Sequence, residues 1–141
     1  MTKEEKQLLL KDLCARLPYG VKFSSFSENM KYYSEPTTLR KIFYNEKYDA
    51  NIIEGDNDIS SIIDLVKPYL RPMYSMTEEE KKEFQACHCV YELHHDFQPM
   101  MCNLANELNM FDWLLAHHFD YRGVIEKGLA LEAPKDMYKT E

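Results

Sequence analysis

Leu39-Arg40-Lys41-Ile42-Phe43-Tyr44-Asn45-Glu46-Lys47-Tyr48-Asp49-Ala50-Asn51-Ile52-Ile53-Glu54 reads as strand, turn and strand. β-Branched and aromatic residues crowd both ends, and Asn45-Glu46-Lys47 supplies turn chemistry between them. The same period of two begins upstream, where Val21 and Phe23 alternate with Lys22 and Ser24. Met30-Lys31-Tyr32-Tyr33 adds a short run before Pro36 interrupts. Residues 21–54 therefore predict an antiparallel meander. Gly55-Asp56-Asn57-Asp58 is loop chemistry, and Ile59 to Val66 continues the sheet or forms a short helix with Ile62, Ile63 and Val66 inward. Pro68 and Pro72 bracket Tyr69-Leu70-Arg71 as an extended connector.

Helices are expected on either side of this sheet. Thr2 and Glu5 form a capping box, and Leu9, Leu13 and Leu17 make one stripe with Leu10 and Cys14 beside it, so a helix spans 2–17 and stops at Pro18. Thr77 and Glu80 form a second capping box behind Ser75 and Met76. Phe84, His88, Tyr91 and His95 recur near one helical face, and Met100, Leu104 and Leu108 mark another short amphipathic helix. Asp112 reads as the N-cap of a helix through Trp113 and Leu114 that ends at His117 and His118. Asp120 reads as the cap of a further helix, Tyr121 to Lys127, closed by a left-handed Gly128 with Val124 and Leu129 in contact. The tail beyond Pro134 is expected to fray. The fold class is α+β: a small curled antiparallel sheet over about residues 21–66, packed by the N-terminal helix and by helices within 77–131. A chain of 141 residues is read as one domain, long enough to bury a core without disulfides.

The formal net charge is −7. Residues 1–70 carry 10 basic and 11 acidic side chains, and residues 71–141 carry 7 and 13, so the second half holds −6 of it. That asymmetry argues against nucleic-acid or anionic-membrane binding by the second half. No apolar run approaches the roughly 20 residues of a membrane span, and no secretory signal is read at the start. A cytoplasmic location is the expectation, with the four cysteines as free thiols.

Asp12-Leu13-Cys14-Ala15-Arg16-Leu17-Pro18-Tyr19-Gly20-Val21, Val66-Lys67-Pro68-Tyr69-Leu70-Arg71-Pro72-Met73, Ser75-Met76-Thr77-Glu78-Glu79 and Asp112-Trp113-Leu114 through Gly128-Leu129 form a set. As a set they resemble an uncharacterised family of small hypothetical proteins from gut anaerobic bacteria and their mobile elements. The resemblance implies cytoplasmic residence. It brings no activity, cofactor or catalytic residue.

Candidate chemistry is sparse. Cys87-His88-Cys89 with His94, His95, Asp96 and Cys102 supplies zinc-type donors, but Cys87 and Cys89 point about 200° apart on a helix, so no metal site or cofactor is assigned. The same residues lack the turn and oxyanion donors of a nucleophilic pair, and no catalytic residue is assigned. The four glycines are scattered, with no phosphate-binding loop. The polar residues singled out for binding are His117, His118, Asp120, Tyr121 and Arg122, where Arg122 and free amides at a helix start would receive an anion or a partner. The functional expectation is a non-enzymatic protein–protein interaction module, with Tyr32, Tyr33, Tyr44 and Tyr48 as further interface residues. The alternative is a small-ligand or anion-binding protein using residues 117–122.

Overall fold

The computed structural model describes residues 1–29, 31–87 and 99–139, with the backbone alone for 99–103. Three helices flank one sheet: α1 (Lys3–Arg16), α2 (Glu78–Cys87) and α3 (Pro99–Ala116). The strands are β1 (Lys22–Ser27), β2 (Tyr32–Tyr33), β3 (Thr37–Asn45), β4 (Ala50–Gly55), β5 (Ser60–Ile62), β6 (Val66–Leu70) and β7 (Leu131–Glu132). They form a sheet in the order β5-β4-β3-β1-β6-β7, with β2 also paired to β1. All pairs are antiparallel except β6 with β7, and the sheet does not close on itself. The α+β class is as expected.

The meander forms where the period of two places it. Asn45 ends β3, and its side-chain oxygen accepts from the Lys47 amide at 2.9 Å, an Asx turn that directs the chain into β4. Ile59–Val66 takes both expected forms in succession, β5 and then a single 3-10 turn at Ile63–Leu65. The sheet runs past its expected end. The Pro68 segment is no connector but strand β6, with Pro68 opposite Phe23 of β1. β7 pairs with β6 only at Tyr69 and Leu70, so Pro68 lies beside an open stretch of that edge, where a missing N–H is tolerated.

Thr2 caps α1 by accepting from the Glu5 amide at 3.1 Å, and Gly20, at φ 72°, turns the chain out of the 3-10 turn Leu17–Tyr19 that holds Pro18. Leu9 and Leu13 of α1 are buried, and Cys14 beside that stripe is exposed. The core unites these two leucines with Val21 just before β1, with Phe23, Leu39, Ile53, Val66 and Leu70 from the sheet, and with Val124, Leu129 and Ala130 from the last third of the chain.

That last third departs most from expectation. α3 is one helix of 18 residues, and Asp112 sits inside it rather than capping a new one. The stretch 121–130 holds no helix: its turns close once, with Leu129 N donating to Val124 O and Gly128 N to Ile125 O, both at 3.0 Å. The expected Gly128 stop and its Val124–Leu129 contact are thus present, without the helix they were meant to end. Residues 133–139 are packed, not frayed, through a half-buried Tyr138. Among the described residues no helix is long and apolar enough to cross a membrane.

Candidate functional site

α3 ends at His118. Its φ of 64° is left-handed, Phe119 N donates to Leu114 O at 3.0 Å, and His118 N donates to Leu115 O at 3.1 Å. This is the helix stop that glycine usually makes, here carried by a histidine. The reversal sends the five singled-out residues into different surroundings. His117 stacks on Trp113 at 3.9 Å, its Nδ1 2.9 Å from Trp113 O and its Nε2 4.0 Å from a Glu83 carboxylate oxygen. His118 is buried, with its ring 3.7 Å from that of Tyr138. Burial and the nearby charges of Arg16, His117 and Arg71 push its pKa down to about 4. Asp120 is also buried, and its two carboxylate oxygens accept from the amides of Val124 and Ile125 at 3.0 and 2.9 Å. Those amides are therefore already engaged. Only Tyr121 and Arg122 come together, with the guanidinium 5.1 Å from the ring centroid.

Arg122 leads inward to a charge cluster that the sequence reading did not single out. Its Nε lies 3.3 Å from one oxygen of Asp12, whose other oxygen accepts from Arg16 Nε at 2.7 Å. Asp12 and Arg16 are wholly buried, and Arg16 Nη2 also donates to Phe119 O at 2.8 Å. A signal existed: Asp12 and Arg16 share the helical face of Leu9 and Leu13, so two charges fall on the core stripe at i and i+4. A second pair ties the start of α2 to the residue that follows β6. Arg71 donates twice to Glu80, both bonds at 2.7 Å, and lies 4.1 Å from the Phe119 centroid. Glu80 accepts also from Thr77 N at 3.0 Å while Thr77 Oγ1 accepts from Glu80 N at 3.1 Å, completing the expected capping box. Its pKa is lowered to about 2, chiefly by the Arg71 hydrogen bonds.

The surface beyond Tyr121 is apolar. Phe111 lies 5.4 Å from Tyr121, and Leu108 and Leu104 continue the line back along α3. These three are 45%, 56% and 48% exposed. α3 packs by Asn106 and Leu114, with Trp113 against Phe84 of α2 at 5.4 Å, and Leu115, in angular line with the exposed three, is itself buried near the helix end. Leu104, Leu108 and Phe111 fall within about 60° of one another on a helix of about 100° per residue. Exposed Glu107 and Asp112 flank them on the two sides, and Asp112 accepts a hydrogen bond from Tyr19.

Of the sheet tyrosines, Tyr32, Tyr44 and Tyr48 are exposed, while Tyr33 packs on Phe26 at 5.2 Å. The Cys–His stretch from His88 to Asp96 and the Cys102 side chain lie outside the described residues. Among the described residues no group of three or more His, Cys, Asp or Glu is arranged to hold a metal ion. No family model matches the chain, and comparisons with curated proteins and with solved structures return no match.

Proposed function

We propose that the chain is a non-enzymatic protein-interaction module whose α3 face receives a basic amphipathic helix of another protein. The observation that carries this reading is the line of Leu104, Leu108 and Phe111, each about half exposed on one face, ending against the Tyr121 ring. Spacings of four and three residues are those of a helix-in-groove contact. The aromatic pair at one end supplies the type of anchor that dominates binding energy.

Charge decides among occupants. Glu107 and Asp112 rim the line, and residues 99–116 contain no Lys or Arg. A second copy docked helix to helix would set acidic rims against each other. A helix with a leucine stripe and Lys or Arg flanks meets both the apolar line and the rims.

The probe is a labelled peptide about 18 residues long with a leucine stripe and lysine flanks, compared by fluorescence anisotropy with the same peptide carrying glutamate flanks. The lysine peptide binds, more weakly as salt rises, and the glutamate peptide does not. Leu108→Asp and Phe111→Asp weaken binding at least about tenfold while the melting temperature holds, because both side chains are exposed. Equal binding of the two peptides, or binding of neither, would overturn the reading. Sedimentation as a dimer that Leu108→Asp dissolves would assign the face to a second copy instead.

A second reading, a small-anion-binding protein, draws on a cleft of about 330 Å³ lined by Arg71, His117, Lys135, Lys139 and Tyr138 among others. Its test is a concentration-dependent rise in melting temperature with inorganic phosphate or citrate that Lys135→Ala removes.

A further inference from the structure

The segment 133–139 returns to the core after β7 and is held there chiefly by one side chain. Ala133 N donates to Leu70 O at 2.8 Å, and Pro134, Lys135, Asp136 and Lys139 are exposed. Tyr138 alone reaches deep. Its ring lies on His118, 3.7 Å away and 17° from parallel. Its hydroxyl donates to Tyr69 O at 2.6 Å and accepts from Lys22 N at 2.8 Å. One donor and one acceptor therefore meet the phenol, and a flat aromatic face meets the ring. The His118 ring serves here by its face, since its buried Nδ1 has no hydrogen-bond partner. Its backbone sits in the left-handed region that a histidine enters at a cost, so the position is held by something other than local preference. The same segment walls one side of the cleft that Arg71, Thr77, Glu80 and His117 line from the other.

We infer that residues 133–139 are a latch anchored in a phenol-recognising slot built from His118, the Tyr69 carbonyl and the Lys22 amide. The latch leaves and returns as a unit, opening the cleft while the sheet stays folded. The empty slot accepts a phenol ring supplied in trans. The chemical class is set by the three contacts: a planar ring for the imidazole face, and a hydroxyl that can both donate and accept. Toluene satisfies only the first.

The test uses the full chain with hydrogen exchange read by mass spectrometry, followed by thermal melts. In the unmodified protein the amides of 133–139 exchange well ahead of those of β6. Tyr138→Phe keeps the ring and loses both hydroxyl bonds, and speeds exchange of the latch about tenfold with β6 protection unchanged. Tyr138→Gly empties the slot and lowers the melting temperature by roughly 10 °C. Millimolar p-cresol then restores part of that loss, toluene restores less, and neither shifts the unmodified protein. Exchange of 133–139 at the same rate as β6 would overturn the latch, because the segment would then be integral to the core. A Tyr138→Gly protein that melts like the original, or gains equally from toluene and p-cresol, would overturn the slot.

Discussion

Arg16 and Asp12 lie one turn apart on α1, both without solvent exposure, with Arg16 Nε 2.7 Å from the Asp12 carboxylate. Arg122 completes the group at 3.3 Å from the second Asp12 oxygen. One carboxylate thus serves two guanidiniums at the junction of α1 with the end of α3. Removing one member of a buried pair strands the other, at a cost of about 3–5 kcal/mol, whereas replacing both by apolar residues of similar size costs far less. Asp12→Ala and Arg16→Ala are each expected to destabilise by about that amount in urea unfolding. An Asp12→Leu/Arg16→Met double variant, made in an Arg122→Met background so that no guanidinium is stranded, should recover more than half of the loss. A double variant as unstable as the sum of its single changes would refute the coupling.

His118 predicts an acid-side loss of stability. Its pKa is lowered to about 4 in the fold against 6.5 when unperturbed, so between those values the unfolded chain binds the extra proton. The contribution is complete above pH 6.5 and drains as pH falls towards 4, at no more than about 1.4 kcal/mol per pH unit. Melting curves across that range should show the slope. His118→Asn, which tolerates the left-handed backbone and does not titrate, should flatten it.

Glu80 acts in a lower window. Its carboxyl is held at about 2 against 4.5 when unperturbed, so the stability from its Arg71 and Thr77 bonds is complete above pH 4.5 and fades as pH drops towards 2. Glu80→Gln should lower the melting temperature at neutral pH and leave a shallower decline below pH 4.5. An unchanged acid profile in this variant would mean that the Arg71 pairing contributes nothing measurable.

Gly55 closes β4 against Thr37. A Cβ at Gly55 would stand 2.5 Å from both Thr37 Cγ2 and Oγ1. Gly55→Ala is therefore expected to cost about 1–3 kcal/mol through overpacking. Thr37→Ala in the same chain should return part of this, although the Thr37 hydroxyl bond to Asp56, at 2.9 Å, is lost as well. Denaturant midpoints of the three variants decide it.

Local chemistry carried much of the fold. Alternation from Val21 to Glu54 announced the meander, and the pairs Thr2/Glu5 and Thr77/Glu80 marked two helix starts that the backbone uses. What escaped depends on contacts distant in the chain. Asp112 has the type of a cap, but the helix running through it is held by packing at Leu114 and Trp113, which overrides a single residue's preference. Asp120 has the same type, and its oxygens reach amides four and five residues on, so a turn forms in place of a helix start. Tyr138 looks like part of a polar tail until Lys22 and Tyr69 are beside it. Of the five binding residues inferred from the sequence, Tyr121 and Arg122 alone meet, and Phe111 of the apolar line they adjoin was not singled out.

The bond from Arg16 to the Phe119 carbonyl spans 103 positions in sequence. During synthesis α1 emerges long before its acceptor, so the Arg16 and Asp12 charges stay in water until the last third of the chain arrives. The core cannot shut earlier without burying a guanidinium short of one partner. Contacts this remote slow the final closure and make it a late, cooperative step. A chain cut anywhere before residue 119 should therefore remain open, with its sheet in place at most as a fluctuating meander. A single late lock of this kind couples the quality of the whole chain to the arrival of one backbone carbonyl.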